Sequence, residues 1–261
     1  MKITIFTANQ VRHNYFINLL LSVASELCVV QESRTIFPGL LPGHYSESKI
    51  SKKHFDSVIN VENDTFKKNY IESKNNKLKI LPLSLNDLNN CKLNQLEVFL
   101  NSEIYIIFGS SFIKGDLLNF LVNKKAINIH MGISPYYRGT DCNFWAIHDE
   151  NPQFVGSTIH LLSKGVDSGA ILYHALPYQE EDPYKFAMLA CKAAFHSIVD
   201  NIKNETLFNY QPITQDLSKI IRYSKNIDFK DDIVKNYSTK MHKIKYQVDK
   251  DLYINPYFLN K

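Results

Sequence analysis

The chain has 261 residues, of which 44% are hydrophobic and 21% charged, a composition that excludes a disordered or fibrous protein. Its net charge of +4 is only weak evidence for a nucleic-acid partner, because a phosphate-bearing small substrate would explain the same charge equally well. The four cysteines form no C-x-x-C pair, which predicts reduced thiols in the cytoplasm. The apolar segment 16–30 is too short and too polar to cross a membrane.

The first part of the chain predicts the start of a parallel sheet. A strand is expected over 2–6, a helix over roughly 13–25 and a second strand over 27–32, and a strand–helix–strand order of this length is typical of parallel pairing. The Lys-rich stretch over about 33–80, with PGLLPG at 38–43, is predicted to be an irregular insertion. It either shapes a substrate site or is solvated surface with little role.

Regular elements return after this stretch. In chain order they are a helix over 87–102, a buried strand over 103–109, a helix over roughly 113–123, a strand over 126–130, a helix over 143–150, strands over 155–163 and 169–177, and a helix over 182–204. Thr140 or Asp141 is expected to cap the helix at 143, and Pro183 lies in the first turn of the last helix.

The stretch AINIHMGISPYYRG (126–139) contains the first candidate site. Residues two apart in a strand share a face, so Asn128 and His130 point the same way at the strand's carboxyl end. Asp167, in a glycine-bounded link between two strands, is expected to join them. Amide, imidazole and carboxylate suit acyl transfer to an amine, in which an oxyanion must be stabilised and a proton removed. A buried polar pair that closes a loop is the alternative.

Other candidate residues indicate less. His160 near a strand end could support the site, and no histidine has zinc-ligand spacing, so no metal is expected. Arg12 and His13 follow the first strand, where α/β folds bind anions, although an ordinary exposed arginine explains Arg12 equally well. The remaining histidines are expected to be surface or hydrogen-bonded core residues: His13, His44, His54, His148, His174, His196 and His242. Four aromatic residues could stack on a planar ligand or belong to the core: Tyr136, Tyr137, Phe144 and Trp145.

The segments 127–150 and 155–174 together resemble the catalytic half of the folate-dependent formyltransferases. That family includes enzymes that act on glycinamide ribonucleotide, methionyl-tRNA and nucleotide-linked amino sugars. The matching elements are Asn128 and His130, Pro135, Arg138–Gly139, Thr158 and His160, and Asp167–Gly169. Their order and spacing cover about 100–177, and before residue 100 only the strand–helix–strand opening supports the resemblance.

The resemblance implies an open, mostly parallel α/β sheet with helices on both faces, and N10-formyltetrahydrofolate as the cosubstrate. Asn128 and His130 would stabilise the oxyanion, and Asp167 would keep His130 charged. The expected folate contacts are Phe108, Gly109, Ser110, Ser111, Phe112, Ile113, Arg138, Gly139, Val166, Ser168 and Gly169. The expected acceptor contacts are Thr7, Asn9, Arg12, Tyr136 and Tyr137.

Departures from the family pattern direct the choice of acceptor. The loop reads MGISP where the family usually has Ser-Leu-Leu-Pro, and TANQVRHNY replaces the purine enzyme's glycine-rich phosphate loop. Residues 1–205 would form the catalytic domain and 206–261 a dimerising or substrate-covering appendage, too short for the tRNA enzyme's basic domain. By elimination, we expect a cytoplasmic N-formyltransferase of a nucleotide-linked amino sugar for surface polysaccharide such as lipopolysaccharide, with a homodimer as one option for its assembly. The alternatives are a formyltetrahydrofolate hydrolase and a non-catalytic folate- or nucleotide-binding protein.

Overall fold

The computed structural model describes residues 1–33, 48–67, 70–72, 76–239 and 246–261. The PGLLPG stretch at 38–43, His44 and His242 lie outside these residues. The elements are β1 (Lys2–Ala8), α1 (Val11–Leu21), β2 (Glu26–Ser33), α2 (Lys49–Phe66), β3 (Leu78–Ser84), β4 (Ile104–Phe108), α3 (Gly115–Asn123), β5 (Ile127–His130), β6 (Tyr137–Gly139), α4 (Cys142–His148), β7 (Ser157–Leu161), β8 (Ile171–Leu176), α5 (Pro183–Lys203), β9 (Arg222–Ser224), α6 (Asp231–Thr239) and β10 (Tyr257–Phe258).

Eight of these strands form one open sheet in the order β10-β8-β7-β5-β4-β1-β2-β3. The pairs from β3 to β5 are all parallel, as is β8 with β10, whereas β7 runs antiparallel to both β5 and β8. The sheet is therefore mostly parallel, as the sequence predicted. The carboxyl ends of β1, β4 and β5 meet at one edge, which is where ligands bind in open α/β sheets.

Both faces of the sheet are covered by helices, which confirms the predicted fold class. On one face Ile5 of β1 packs in a core cluster with Phe16 of α1 and Phe195 of α5. On the other face Phe6 packs in a cluster with Leu121 of α3. Neighbouring residues of β1 thus point to opposite cores, so both faces of this strand are buried.

The prediction of an irregular insertion over 33–80 was wrong for the residues that the structure describes. They contain α2, whose N-cap Ser48 accepts a hydrogen bond from the Ser51 amide, and the edge strand β3. The buried face of α2 includes His54 and Glu62, two polar residues, so its apolar period is hidden in the sequence. Pro82 of β3 is tolerated because an edge strand needs no donor on its outer side.

The single helix predicted over 87–102 is instead two short 3-10 turns, Asp87–Asn90 and Leu93–Phe99. Cys91 lies between them with extended backbone. The Asn89 side chain binds the Phe112 carbonyl and the Lys114 amide, so it stabilises a tertiary contact rather than a helix. Asparagine's tendency to bind backbone outside helices explains the break.

The C-terminal segment is packed against the rest of the chain at several places. Strand β9 pairs with β6, and β10 joins the main sheet beside β8. Phe229, Val234 and Tyr253 belong to a third buried cluster together with Trp145 of α4. Within the described residues, no helix is both long and apolar enough to cross a lipid bilayer.

Candidate active site

Three strands bring Asn128, His130 and Asp167 together. His130 is the last residue of β5, and Asn128 precedes it by two. The antiparallel register pairs Asn128 with His160 of β7, and the link from β7 to β8 carries Asp167 to the end of β5. The sequence-predicted triad is therefore assembled by the one antiparallel strand inserted into a parallel sheet.

The Asp167 carboxylate is the centre of this cluster. Its Oδ2 lies 3.1 Å from His130 Nδ1, and its Oδ1 accepts a hydrogen bond from Asn128 Nδ2 at 3.1 Å. His160 Nε2 lies 3.7 Å from the same Oδ1. The backbone of Asp167 has a φ of 46°, which is unusual for a residue other than glycine and turns the carboxylate toward β5.

His160 supports Asn128, as the sequence indicated. Its Nδ1 donates to the Leu161 carbonyl at 2.8 Å, which leaves Nε2 as the acceptor for the Asn128 amide at 3.0 Å. Both N–H groups of Asn128 are thus engaged, one by His160 and one by Asp167. To donate to a developing oxyanion, Asn128 must share or exchange one of these bonds.

His130 is buried and held in its charged form. Burial lowers its pKa, but the negative charge of Asp167 and the hydrogen bond to it outweigh burial, so the pKa lies well above the usual value of 6.5. Burial likewise opposes ionisation of Asp167, yet the charge of His130 holds its pKa well below 3.8. The second ring nitrogen, Nε2, donates to the Tyr137 carbonyl at 3.1 Å.

A cavity of about 590 Å³ lies against this cluster, within the size range of small-molecule sites. The lining includes Asn128, His130 and Asp167 from the triad. Eight of the eleven residues expected to contact folate also line it: Phe108, Gly109, Ser110, Ser111, Phe112, Ile113, Gly139 and Val166.

The other three expected folate contacts have structural roles instead. Arg138 donates to the Val166 carbonyl at 2.8 Å, and Ser168 pairs with Ser163 at 2.8 Å, so both shape the loop that carries Asp167. A Cβ on Gly169 would lie 1.7 Å from the Leu161 carbonyl oxygen, so only glycine fits against β7. These three positions are determined by packing rather than by ligand contact.

Two of the five expected acceptor contacts are corrected. Thr7 is fully buried and donates to the Phe108 carbonyl. Tyr137 is fully buried as well, with its hydroxyl near Asp149. Tyr136 stacks on Phe154 but is only partly buried, so its contact with an acceptor stays a prediction.

The two remaining expected acceptor contacts, Asn9 and Arg12, follow β1 in the chain. Asn9 is partly buried between β1 and α1 and does not line the cavity. Arg12 does line it, and its Nη1 forms a 2.7 Å salt bridge with Glu62 of α2. The sequence did not indicate this partner, because it comes from the stretch predicted to be irregular.

Sequence reasoning missed several residues of the site. Glu32, fully buried at the end of β2, accepts hydrogen bonds from the Ser111 amide and hydroxyl. Tyr223 and Lys225 reach the cavity rim because β9 pairs with β6. Gln10 and Thr140 are further lining residues that the sequence did not assign to the site. Their contacts join distant parts of the chain, so no local pattern could have revealed them.

Chemically, the cluster can stabilise negative charge beside the cavity. A buried imidazolium lies next to an amide and a carboxylate that holds its charge. Such preorganised groups stabilise an oxyanion that forms during attack on a carbonyl carbon. Among the described residues, no group of three histidine, cysteine or carboxylate side chains is arranged to hold a metal ion.

Comparison with known proteins agrees with this arrangement. Residues 88–181 match the sequence model of the formyl transferase family. A 4-N formyltransferase from Francisella tularensis is 17% identical, with a TM-score of 0.53 over 87% of this chain and 77% of that chain. An N-formyltransferase from Helicobacter canadensis, solved with folinic acid and dTDP-3-aminofucose, is 16% identical, with a TM-score of 0.50 over 90% and 79%.

The shared fold does not separate the acceptor classes. Methionyl-tRNA formyltransferase from Clostridium thermocellum is 14% identical, with a TM-score of 0.51 over 91% of this chain and 81% of that chain. At these identities the likeness shows the fold alone. The sequence match is more specific because it contains the whole Asn128–Asp167 cluster. Residues 88–181 are a formyl transferase domain, which confirms the predicted enzyme class, a formyltransferase, for that part of the chain.

Proposed function

We propose that this protein transfers the formyl group of N10-formyltetrahydrofolate to the amine of a nucleotide-linked amino sugar. The observation that carries the proposal is the charged His130–Asp167 pair, bound to Asn128 and open to a cavity of about 590 Å³. A binding protein does not need a buried ion pair at that position, since burying two charges is costly.

The cavity fits the folate cosubstrate. Its wall combines apolar side chains such as Ile107 and Leu162 with backbone groups of the segment 109–111, a mixture that suits a flat heterocycle with polar edges. N10-formyltetrahydrofolate would supply the formyl carbon. The segment 108–113 and the loop at Val166 would hold it against His130.

The protein's own groups can carry the charge that develops. As an amine attacks the formyl carbon, the formyl oxygen becomes negative, and the His130 imidazolium and the Asn128 amide stabilise it. The Nε2 proton of His130 must then shift from the Tyr137 carbonyl toward that oxygen. Asp167 keeps His130 charged and can accept a proton from the amine, directly or through water.

A small acceptor is favoured over a macromolecule. The C-terminal segment closes over the cavity, where Tyr223, Lys225 and Asn226 form part of the rim. Arg12, at the start of α1 and in the cavity lining, is the candidate contact for a phosphate group of the acceptor. A precedent for such an acceptor in this fold is the Helicobacter canadensis N-formyltransferase, solved with folinic acid and dTDP-3-aminofucose.

We also propose that the enzyme works in the cytoplasm on precursors of surface polysaccharide such as lipopolysaccharide. All four cysteines are free thiols, which suits a reducing compartment. A homodimer through the C-terminal segment, whose Leu217 and Ile227 are exposed, remains part of the proposal.

The test is incubation with N10-formyltetrahydrofolate and a panel of nucleotide-linked amino sugars, followed by mass spectrometry. An acceptor that gains one formyl group, with release of tetrahydrofolate only when the amine is present, is the expected result. Release without any amine would show a hydrolase instead. No turnover with any acceptor or with water would overturn the enzymatic reading.

A further inference from the structure

A second, smaller recess lies beside the cavity, and residues 108–113, which we expect to contact folate, do not line it. Its volume is about 260 Å³, and it shares Arg12, His130, Met131 and Gly139 with the larger cavity. Drug-sized ligands occupy pockets of roughly 300–1000 Å³, so this recess holds one ring rather than a whole nucleotide-linked sugar. Whatever enters it is adjacent to His130.

The wall of this recess is aromatic. Phe144 is the central residue, with ring-centroid distances of 4.3 Å to Tyr237 and 4.8 Å to Phe229. His54 packs edge-on against Phe144 at 5.5 Å, and its Nδ1 pairs with the Tyr184 hydroxyl at 3.0 Å. The polar groups of this wall include the His54 ring and the Tyr184 and Tyr237 hydroxyls. Such a surface suits the apolar face of a sugar ring.

One carboxylate faces the recess without a partner among the described residues. Asp141 was expected to be a candidate cap of α4, but its side chain makes no capping bond, and its φ of 54° directs it elsewhere. It lines the recess. The surrounding protein desolvates the carboxyl group and raises its pKa to about 6, although the charge of Arg12 opposes this shift.

Among the described residues that line the recess, the other charges are balanced, and Asp141 is left as an unbalanced negative charge. Arg12 is balanced by Glu62 in the 2.7 Å salt bridge, and His130 is balanced by Asp167. Burial keeps His54 neutral, with a pKa lowered to about 4, and Cys191 neutral, with a pKa raised to about 12. The tyrosines that also face the recess, Tyr184 and Tyr237, have pKa values raised by burial.

We propose that this recess receives the amine-bearing ring of the acceptor, and that the Asp141 carboxylate binds its ammonium group. The assignment rests on the proposed function and specifies the acceptor side of the same site. A nucleobase could also stack on the aromatic wall, but its position in the acceptor argues against this alternative. A base lies beyond the diphosphate from the amine, so a base in a recess beside His130 would place the amine far from the formyl carbon.

The first test is Asp141→Asn, with Asp116→Asn on the exposed first turn of α3 as the matched control. Each enzyme is assayed with the best acceptor from dTDP-linked 3-amino and 4-amino sugars and UDP-linked 4-amino sugars. Loss of a charge-assisted bond should raise the acceptor KM about tenfold or more. Calorimetric affinity for folinic acid should be unchanged in both variants.

A pH profile separates binding from a structural role. In the wild type, Asp141 is protonated as pH falls through about 6, so the acceptor KM should rise below that pH. In Asp141→Asn the KM should already be high and should not change over that range. A second variant, Ala187→Leu on α5, reduces the volume of the recess and should also raise the acceptor KM alone.

The outcomes distinguish the two proposals. A wild type that formylates no acceptor of the panel overturns the proposed function, and the recess assignment with it. A wild type that formylates an acceptor, with its KM unchanged in both Asp141→Asn and Ala187→Leu, overturns only the recess assignment. Weaker folinic acid binding in these variants would also overturn it, because the recess would then belong to the folate side.

Discussion

At the scale of single residues, the His130–Asp167 pair links the stability of the site to pH. The raised pKa of His130 contributes stability that is complete below 6.5 and lost as pH rises through the raised value. The lowered pKa of Asp167 contributes stability that is complete above 3.8 and lost as pH falls through the lowered value. The pair therefore stabilises the protein most between these two usual pKa values.

Asp167→Asn should reverse the protonation of His130. Without the carboxylate, burial is the largest influence on the imidazole and lowers its pKa, while Cys142 opposes it, so we expect His130 to become neutral at pH 7. We expect NMR titration of the ring to show this shift, together with a decrease in kcat on the order of a hundredfold. A variant in which His130 titrates as in the wild type would contradict the assigned cause.

Asn128→Ala should affect turnover more than folate binding. The substitution removes the donor to His160 and Asp167, and with it the amide that can reach an oxyanion. We expect kcat to fall on the order of a hundredfold, as after loss of an oxyanion donor, and His130→Ala to behave similarly. Asn204→Ala, at the exposed end of α5, is the control. Soluble Asn128→Ala and His130→Ala proteins with near-normal turnover would refute the assignment.

At the scale of elements, strand β2 positions the segment 108–113, which we expect to contact folate. β2 does not itself line the cavity. Glu32 at the end of β2 binds the Ser111 amide and hydroxyl and the Asn86 amide, all within 2.8 Å. A buried carboxylate with three donors fixes the backbone of Ser111 beside the site. The segment's geometry therefore depends on a residue 79 positions away in the sequence.

Glu32→Gln should weaken folate binding. A glutamine turns one N–H toward a Ser111 donor, so at least one charge-assisted bond is lost, worth about 1.5–3 kcal/mol. We expect the Kd of folinic acid, measured by calorimetry, to rise roughly tenfold or more. Glu26→Gln at the opposite end of β2 is the control, since it affects only a partly exposed ion pair with Lys2 and Lys79. Equal affinities in both variants would exclude the positioning role.

How well an element could be predicted depended on its length and its neighbours in the chain. β4 was found from sequence because a strand buried on both faces is a continuous apolar run, and β5 because Ile127 and Ile129 alternate with two polar residues. β6, β9 and β10 have only two or three residues and pair with distant partners, so no local pattern marks them. Helix α2 was not predicted, because two polar residues on its buried face interrupt the apolar pattern of a helix.

The candidate site follows the same rule. Asn128, His130 and Asp167 could be predicted because their strand ends and spacing are local features. Thr7 and Tyr137 were assigned to the acceptor from their position in the sequence, but hydrogen bonds to Phe108 and Asp149 place them in the core. Side-chain direction inside a loop is decided by such tertiary contacts, which sequence position alone does not reveal.

At the scale of the whole molecule, the C-terminal segment completes the core as well as the rim of the cavity. Phe229, Val234, Tyr237 and Tyr253 are nearly fully buried against the body of the protein. Close contact is also required at β6, where a Cβ on Gly139 would lie 1.9 Å from the Ser224 carbonyl oxygen. The described residues of this segment are therefore packed as part of the protein body.

Deletion of residues 206–261 should prevent stable folding rather than merely uncover the site. Truncation of a single large buried side chain costs about 2–5 kcal/mol, and the deletion removes several of them together with β10. We expect the shortened chain to be insoluble or to lack a cooperative thermal transition in calorimetry. A soluble truncated protein with the wild-type melting temperature would show that the segment is an independent appendage.

Arg222→Met tests whether the segment also positions the rim. The Arg222 guanidinium binds both Asp149 oxygens, at 2.7 and 2.8 Å, and lies 4.3 Å from the Trp145 ring centroid. The pair is partly exposed, so we expect a loss of only about 1 kcal/mol in the free energy of unfolding.

We expect the substitution to affect ligand binding more than stability. Tyr223 and Lys225, which line the rim of the cavity, lie one and three residues after Arg222. When β9 loosens from β6, the rim residues lose their fixed position, so we expect the KM for folate and for the acceptor to rise several-fold at a similar kcat. Lys219→Met, exposed on the same segment before β9, controls for loss of a positive charge. A lower melting temperature with both KM values unchanged would mean that Arg222 stabilises the fold without positioning the rim.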